Sequence, residues 1–274
     1  MEFKIVGGVS FEDIILEDAT LDNKHKIARI TLNRPHRLNA FTSDTIDELL
    51  EALSLIERGK NRVLLLTGAG DKAFCSGGDV KERGERGYFK KSGEQKLHVL
   101  ELYTKLRYLP IPTIAIVKGY AIGGGQILQL VCDITIATPE AVFGQNGPKV
   151  GSFDAGIGAQ LLALTVGLKR AKEMWFRCHR ISADEALKMG LINHVVESEK
   201  LDSFIENLCR EICELSPSCL RFIKFGFNAL TDGMFGFTKF AHETTGLFYS
   251  TDEALEGREA FKNKRKPDFS RFLN

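Results

Sequence analysis

The chain has 274 residues, of which 43% are hydrophobic and 27% charged, so it can form one large core, with or without a small appended domain. Its 37 Lys and Arg residues nearly balance its 36 Asp and Glu residues, and the net charge of +1 disfavours binding to nucleic acid or to an anionic membrane. The least polar long stretch, residues 119–132, contains glycines and glutamines and is shorter than the roughly 20 apolar residues of a bilayer-spanning helix. The first residues do not resemble a secretory signal, and we therefore expect a cytoplasmic protein.

The first two thirds of the chain alternate short apolar runs with helical patterns, which is typical of strands joined by crossover helices. We therefore predict an α/β fold with a mostly parallel sheet, entered by a hairpin that turns at residues 22–24. The predicted strands are residues 11–16, 27–32, 63–67, 113–117 and 133–137.

Helical patterns dominate from about Gly158 onward. An earlier helix is expected to be capped by Thr42 or Ser43 and to end just before Gly59. Ser182 and Glu185 have the spacing of a capping box. The other predicted helices are residues 96–109, 202–215, 219–230 and 253–262. The tail carries more phenylalanines than a thin layer can cover, so we expect some to pack on another subunit: Phe222, Phe225, Phe227, Phe235, Phe237 and Phe240.

The cysteines and histidines give no metal-binding pattern. No Cys-x-x-Cys pair has a matching Cys or His pair elsewhere, and no histidine has a metal ligand four residues further on. Cys209 and Cys213 lie at helical spacing and are expected to be buried, small apolar side chains. We predict reduced thiols and no metal.

Two glycine-rich turns each follow an apolar strand and precede a helical pattern, at residues 75–79 and 119–125. Neither matches the phosphate-binding loop or the dinucleotide-binding Gly-x-Gly-x-x-Gly pattern, which disfavours nucleotide-dependent chemistry. Such turns can bring two backbone N–H groups to one point and form an oxyanion hole. Close packing of a helix on a strand also requires glycine, and the spacing alone favours this second interpretation.

A third segment, residues 143–156, contains glycines and a proline that prevent regular structure. Ser152 and Asp154 precede an apolar helical pattern, and the simplest interpretation is a helix cap. Ser152 lies in no Gly-x-Ser-x-Gly turn, so the segment alone does not indicate a nucleophile.

Three motifs at matching separations carry a family resemblance. They are Asn-Arg-Pro and Leu-Asn-Ala within residues 33–40, Ala-Phe-Cys-Ser-Gly-Gly-Asp at residues 73–79, and the glycine-rich segment 119–125. Together they resemble the crotonase (enoyl-CoA hydratase/isomerase) superfamily. The resemblance implies a ββα-spiral core that binds acyl-CoA, residues 1–200, and a C-terminal helical region, residues 201–274, that forms homotrimers or dimers of trimers.

The same resemblance implies an acyl-CoA substrate, of which CoA is a part, and no tightly bound cofactor. The backbone N–H groups of Gly78 and Gly124 would bind the thioester oxygen and stabilise a thioester enolate, the common intermediate of the superfamily. Neither a metal, nor nucleic acid, nor a membrane is expected as a partner.

Two positions narrow the chemistry. Hydratases of this family carry one Glu after the triple glycine and another after Phe-Gly-Gln-Pro, where this chain has Ile127 and Gly147. Hydration of a 2-enoyl-CoA is therefore not expected. Residues 144–154 and the Lys-x-Arg-Gly-x-x-Gly-Tyr spacing of residues 81–88 instead resemble the 1,4-dihydroxy-2-naphthoyl-CoA synthases (naphthoate synthases) of menaquinone biosynthesis. These lyases close a ring in o-succinylbenzoyl-CoA by an intramolecular Claisen (Dieckmann) reaction.

That resemblance implies roles for further residues. Ser152 and Asp154 would act on the aryl carboxyl group and its proton. Tyr88, and Tyr249 from the tail of a neighbouring subunit, would hydrogen-bond this carboxyl group and the developing oxyanion. The residues expected to bind the substrate or CoA are Arg37, Lys81, Arg83, Lys264 and Arg265.

The resemblance also implies a base that the protein borrows. Members of this family with Gly at the position of Gly147 lack a carboxylate there and use a bicarbonate ion. Gln145, Asn146 and the Gly147 backbone would hold this ion, although most members have Thr in place of Asn146.

Three residues near the expected pocket depart from the family pattern: Val80, Gln126 and Ile157. They leave open an alternative, a ring-opening hydrolase similar to the 2-ketocyclohexanecarboxyl-CoA hydrolases of aromatic acid degradation. A third hypothesis is a non-enzymatic or RNA-binding homologue, which the balanced charge and the intact glycines disfavour.

Overall fold

A computed structural model describes residues 1–83, 99–152, 156–229, 245 and 248–272 of the chain. Two β-sheets lie at its centre, and helices cover both faces of the larger one. The strands are β1 Lys4–Ile5, β2 Ile14–Leu21, β3 His25–Leu32, β4 Asn61–Gly68, β5 Ala73–Cys75, β6 Thr113–Val117, β7 Tyr120–Ile122, β8 Ile134–Ala137, β9 Val142–Gly144, β10 Arg180–Ser182 and β11 His194–Val195. The helices are α1 Ser43–Arg58, α2 Val99–Arg107, α3 Gly124–Leu130, α4 Gly156–Val166, α5 Leu168–Arg177, α6 Ala183–Lys188, α7 Ser198–Cys213, α8 Pro217–Ala229 and α9 Asp252–Lys262.

The larger sheet has seven strands in the order β1-β2-β3-β4-β6-β8-β11, and the pairs from β3 to β11 are parallel. The smaller sheet has four strands in the order β10-β9-β7-β5. The predicted α/β fold with a mostly parallel sheet is thereby confirmed. The smaller sheet was not predicted, because its strands are only three residues long and leave no periodic pattern.

The larger sheet is buried on both faces, as β4 illustrates. Leu64 and Leu66 pack into a core that includes α1, α2, α3 and α4, whereas Val63 and Leu65 pack on the other side against α7. Because successive side chains of a strand point to opposite faces, a doubly covered strand is apolar without interruption. The helix α7, which begins close to the expected domain boundary, therefore packs directly on the sheet.

The local signals at element ends are confirmed. Asp22 and Asn23 take the positive φ angles of a tight hairpin turn between β2 and β3. Thr42 caps α1 by accepting a hydrogen bond from the Thr45 N–H at 3.1 Å. Ser182 caps α6 and forms the predicted capping box with Glu185.

The predicted helices of the tail are present as α7, α8 and α9. Cys209 and Cys213 are buried in α7 as predicted. On α8, Phe222 and Phe227 are 62% and 68% exposed. Phe225 is also exposed, while Phe235, Phe237 and Phe240 lie outside the described residues.

Among the helices that are described, none is long and apolar enough to cross a membrane. The described His, Cys, Asp and Glu side chains form no cluster suited to a metal ion.

Candidate active site

A cleft of about 460 Å³ lies between the two glycine-rich turns, the start of α2, the 3-10 turn Gly147–Val150 and the C-terminal segment. The predicted site residues that line it are Gly78, Gly124, Arg37, Lys81, Arg83, Asn146, Gly147, Ser152 and Tyr249. Tyr88 and Asp154 lie outside the described residues. Gln145, Lys264 and Arg265 are described but do not line the cleft.

The two glycine-rich turns meet at the cleft. A Cβ atom on Gly77, which has a φ of +92°, would lie 3.1 Å from the Gly124 nitrogen. Gly124 is the first residue of α3, and the first N–H groups of a helix have no acceptor within it. We refer to Gly78 and Gly124 as the glycine wall. This wall has the parts of an oxyanion hole, namely two backbone donors at the edge of one cleft.

Helix-to-strand packing explains a neighbouring glycine. A Cβ atom on Gly125 would lie 2.0 Å from the carbonyl oxygen of Cys75, so α3 lies directly against the end of β5. The packing interpretation of the glycine-rich segment therefore holds at Gly125, and the oxyanion-hole interpretation concerns a different residue, Gly124.

Two aromatic residues that the sequence analysis missed fix the position of Gly124. The Tyr103 hydroxyl donates a hydrogen bond to the Gly124 carbonyl oxygen at 2.9 Å. A Cβ atom on Gly124 would lie 2.6 Å from Cζ of Phe41. Both aromatic residues line the cleft. Tyr103 lies among the apolar residues of α2. A tyrosine at such a position needs a hydrogen-bond partner for its buried hydroxyl, and this need was the signal in the sequence that could have identified it.

A second wall of the cleft carries two hydroxyl groups. Ser152 Oγ and Tyr249 Oη lie 2.8 Å apart, within hydrogen-bonding distance. The Ser152 N–H donates to the Gly147 carbonyl oxygen at 2.9 Å, which ties the serine to the 3-10 turn. We refer to Ser152 and Tyr249 as the hydroxyl wall.

Tyr249 was expected to come from a neighbouring subunit; within this single chain, the Tyr249 hydroxyl pairs with Ser152 of the same chain. The physical reason is the docking of α9 on the 3-10 turn. A Cβ atom on Gly257 would lie only 2.3 Å from the Gly151 nitrogen, so helix and turn are in backbone contact. The tail thus lies over the cleft of its own chain.

Arg83 supports the hydroxyl wall. Its guanidinium donates to the Val150 and Gly151 carbonyl oxygens at 2.9 and 3.1 Å. Its Cζ lies 4.9 Å from the centre of the Tyr249 ring, in a cation–π contact. Arg83 was predicted to bind substrate. It does line the cleft, but its guanidinium N–H groups donate to backbone carbonyls of the protein.

Of the three residues predicted to hold bicarbonate, only two line the cleft. Gln145 is buried, and its amide donates a hydrogen bond to the side-chain oxygen of Gln126, which is also buried. Asn146 and Gly147 do line the cleft.

Arg265 is engaged elsewhere. It forms an ion pair with Glu256, whose Oε1 also accepts the Asp268 N–H at 2.7 Å. These partners lower the pKa of Glu256 to about 2. Lys264 follows the end of α9 and does not line the cleft either.

Of the three departures from the family pattern, Val80 lines the cleft. Gln126 and Ile157 are buried and do not. Asp79 is the one carboxylate among the described residues that line the cleft, and it is paired with Arg34 at 3.2 Å.

The chain matches the family model described as enoyl-CoA hydratase/isomerase over residues 22–271. It is 32% identical to an enoyl-CoA hydratase from Bacillus anthracis, covering 94% of this chain and 98% of that one with a TM-score of 0.69. A carnitinyl-CoA hydratase from Mycobacterium avium is 26% identical, with 96% and 100% covered and a TM-score of 0.82. A methylmalonyl-CoA decarboxylase in complex with 2-nitronate-propionyl-CoA is 27% identical, with 95% and 99% covered and a TM-score of 0.81. The chain therefore belongs to the enoyl-CoA hydratase/isomerase family, within the crotonase superfamily of acyl-CoA-processing enzymes.

Proposed function

We propose that this enzyme closes a ring in an acyl-CoA that also carries a carboxyl group, as the 1,4-dihydroxy-2-naphthoyl-CoA synthases do with o-succinylbenzoyl-CoA. The observation that carries the proposal is the Ser152–Tyr249 hydroxyl pair in the same cleft as Gly78 and Gly124. The glycine wall suits the thioester oxygen, and the hydroxyl pair suits the oxygens of a carboxyl group.

The reaction divides between the two walls. A base removes a proton from the carbon next to the thioester, and the N–H groups of Gly78 and Gly124 stabilise the enolate oxygen. The enolate carbon then forms a bond to the aryl carboxyl carbon. Ser152 and Tyr249 hydrogen-bond the carboxyl oxygens as negative charge develops there, and one of these oxygens leaves as water after protonation. The resulting diketone tautomerises to the dihydroxynaphthoyl thioester.

The base is not a carboxylate at either position that hydratases use. Ile127 is buried in the core, and Gly147 lines the cleft without a side chain. Asn146 and Gly147 would hold a bicarbonate ion, which supplies a basic oxygen when bound. Asp154 remains in the proposal as the group that handles the carboxyl proton. Turnover should rise when bicarbonate is added to degassed buffer, and an unchanged rate would remove bicarbonate from the proposal.

Decarboxylation is the second candidate, because loss of carbon dioxide from the carbon next to the thioester also leaves a thioester enolate and needs no base. A carboxylate bound by Ser152 and Tyr249 could leave as carbon dioxide, and the similarity to a methylmalonyl-CoA decarboxylase favours testing this reaction. Ring-opening hydrolysis of a cyclic β-keto acyl-CoA remains the third candidate, since the two walls would serve the reverse bond change.

We further propose that the protein assembles as a homotrimer or a dimer of trimers. The exposed aromatic side chains of Phe222 and Phe227 on α8 support an interface between copies of this chain. Light scattering should give three or six times the mass of the chain, and Phe222→Glu with Phe227→Glu should reduce it. A monomer at micromolar concentration would contradict this proposal.

Mass spectrometry of four parallel incubations distinguishes the reactions. Ring closure predicts loss of one water from o-succinylbenzoyl-CoA and no change in the other substrates. Loss of carbon dioxide from methylmalonyl-CoA would indicate the decarboxylase. Gain of one water on 2-ketocyclohexanecarboxyl-CoA would indicate the hydrolase, and the same gain on crotonyl-CoA would indicate a hydratase.

A further inference from the structure

A charge cluster centred on the buried Arg34 lies next to the first glycine-rich turn. The Arg34 side chain is 8% exposed and forms ion pairs with three carboxylates. Its Nε lies 3.3 Å from Asp13, its Nη1 lies 3.2 Å from Asp79, and its Nη2 lies 2.8 Å from Glu82. Arg34 belongs to the Asn-Arg-Pro motif, and the reaction described above assigns it no task.

The same turn is bonded along its length to residues 38–41. The Phe41 N–H donates to the Gly77 carbonyl at 2.9 Å, and the Asp79 N–H donates to the Phe41 carbonyl at 2.9 Å. Phe41 and Gly78 therefore form a parallel bridge. Since neighbouring amides of an extended segment point in opposite directions, the Gly78 N–H points away from Phe41. Residues 38–41 thus set where the Gly78 donor lies at the edge of the cleft.

Arg34 joins the two sides of this bridge. Its Nη1 donates to the Ala40 carbonyl at 2.5 Å on one side and to the Asp79 carboxylate at 3.2 Å on the other. Asn39 fixes the bridge to the core, because its Nδ2 donates to the Ala69 and Ala73 carbonyls at 3.0 and 2.7 Å. Its Oδ1 accepts the N–H of Arg34 at 3.1 Å.

We propose that Arg34 is a positioning residue for the oxyanion hole and holds the Gly78 N–H in place through Ala40 and Asp79. The proposal rests on the proposed function in one respect, that Gly78 donates to the thioester oxygen. The planar guanidinium fork is essential to the role because it reaches separate acceptors along fixed directions, which a lysine ammonium cannot do.

The decisive variant is Arg34→Lys, which keeps the positive charge among the carboxylates but loses the fork. Its matched control is Arg29→Lys on β3, where Arg29 pairs with Glu17 at 2.8 Å and does not line the cleft. The probe is an unreactive saturated acyl-CoA with a ¹³C-labelled thioester carbonyl. Infrared difference spectra of the bound probe report how strongly the protein polarises that carbonyl.

We expect the wild-type protein to shift the carbonyl stretch to lower frequency and Arg34→Lys to lose most of this shift. With the substrate that the wild type turns over, kcat should fall roughly 10- to 100-fold, as expected for a small displacement of an oxyanion donor, while KM stays within about threefold. Arg29→Lys should leave the shift, kcat and KM unchanged.

Each failure has its own signature. If the wild-type protein binds the probe without shifting the carbonyl, the glycine wall is not an oxyanion hole and the proposed function itself fails. If the wild type shifts the carbonyl and Arg34→Lys does so equally with full kcat, Arg34 has only a structural role and the inference is wrong. If Arg34→Lys does not fold, the infrared spectrum of the probe bound to Asp79→Asn replaces it. A smaller shift of the carbonyl stretch than in the wild type would support the inference, and a full shift would overturn it.

Discussion

The glycine wall and the hydroxyl wall of the cleft are built in different ways. Gly78 and Gly124 are backbone donors held by β5, α3 and residues 38–41, all of which belong to the core or are bonded to it. Ser152 and Tyr249 are side chains on a short turn and on the tail, joined by Arg83 and by the docking of α9. The comparison shows that the two backbone donors proposed for the thioester oxygen are positioned by the core, whereas the hydroxyl pair depends on contacts between a short turn and the tail.

The largest expected effect comes from breaking the glycine wall with Gly124→Ala. The new Cβ atom would lie 2.6 Å from Phe41 Cζ and 3.0 Å from the Tyr103 hydroxyl, so a side chain or the Gly124 backbone must shift. Because Phe41 and Tyr103 are both buried in the core, we expect the Gly124 backbone and its N–H to move. We expect kcat to fall about 100- to 1000-fold, the usual loss for one oxyanion donor. Steady-state kinetics checks this, with Gly7→Ala as the control because a Cβ there meets nothing within 4 Å. Full activity of Gly124→Ala would contradict the assignment of this wall.

The second effect comes from separating the tail from the 3-10 turn with Gly257→Ala. Its Cβ atom would meet the Gly151 backbone at 2.3 Å, which forces α9 and Tyr249 away from Ser152. Turnover should fall about 100-fold, as for a reacting group misplaced by about 1 Å. The infrared shift of a bound thioester carbonyl should persist, because the glycine wall is untouched. Loss of that shift together with turnover would show that the two walls are not independent.

A smaller effect is expected from Tyr249→Phe, which removes one hydroxyl and leaves the ring over Arg83. The kcat for ring closure should fall about 10- to 100-fold, the range for one hydrogen bond to a charged group. The melting temperature should change little. Tyr108→Phe is the control, since Tyr108 lies near Phe225 of α8 and does not line the cleft. Equal kcat values for Tyr249→Phe and the wild type would exclude the tyrosine from the chemistry.

The smallest effect concerns the anchoring of the tail by Glu256 and Arg265. The pKa of Glu256 is about 2 in the folded protein against 4.5 for an ordinary glutamate, so its contribution to stability is fully present above pH 4.5 and is lost as the pH falls toward 2. The difference in unfolding free energy between wild type and Glu256→Gln should therefore shrink over this interval. Urea unfolding from pH 6 to pH 2.5 measures it, and a difference independent of pH would contradict the ion pair.

The sequence predicted part of each wall. The two glycine-rich turns are recognisable as segments that link a strand to a helix, but the choice of Gly78 and Gly124 as donors follows from the family resemblance and not from spacing. The Ser152–Tyr249 pair joins residues 97 positions apart, and no local pattern tells which copy of the chain supplies the tyrosine. Residue identity alone also did not show that Gln145 turns toward Gln126, since either direction suits a polar side chain.

The buried partners were missed for a related reason. Arg34 and Tyr103 hold backbone carbonyls of Ala40 and Gly124, and a backbone acceptor leaves no trace in the identity of the residue that carries it. A sequence can indicate which side chains need a buried partner, but the partner is set by tertiary packing.

The division of work between the two walls can be tested by deuterium exchange in heavy water. Wild-type protein and Tyr249→Phe are incubated with o-succinylbenzoyl-CoA, and both substrate and product are followed by mass spectrometry. We expect the wild type to form the ring, whereas Tyr249→Phe should form it slowly and return substrate that is deuterated at the carbon next to the thioester. Loss of both exchange and ring closure in Tyr249→Phe would show that the hydroxyl wall is also needed to form the enolate, and that the two walls do not divide the reaction between them.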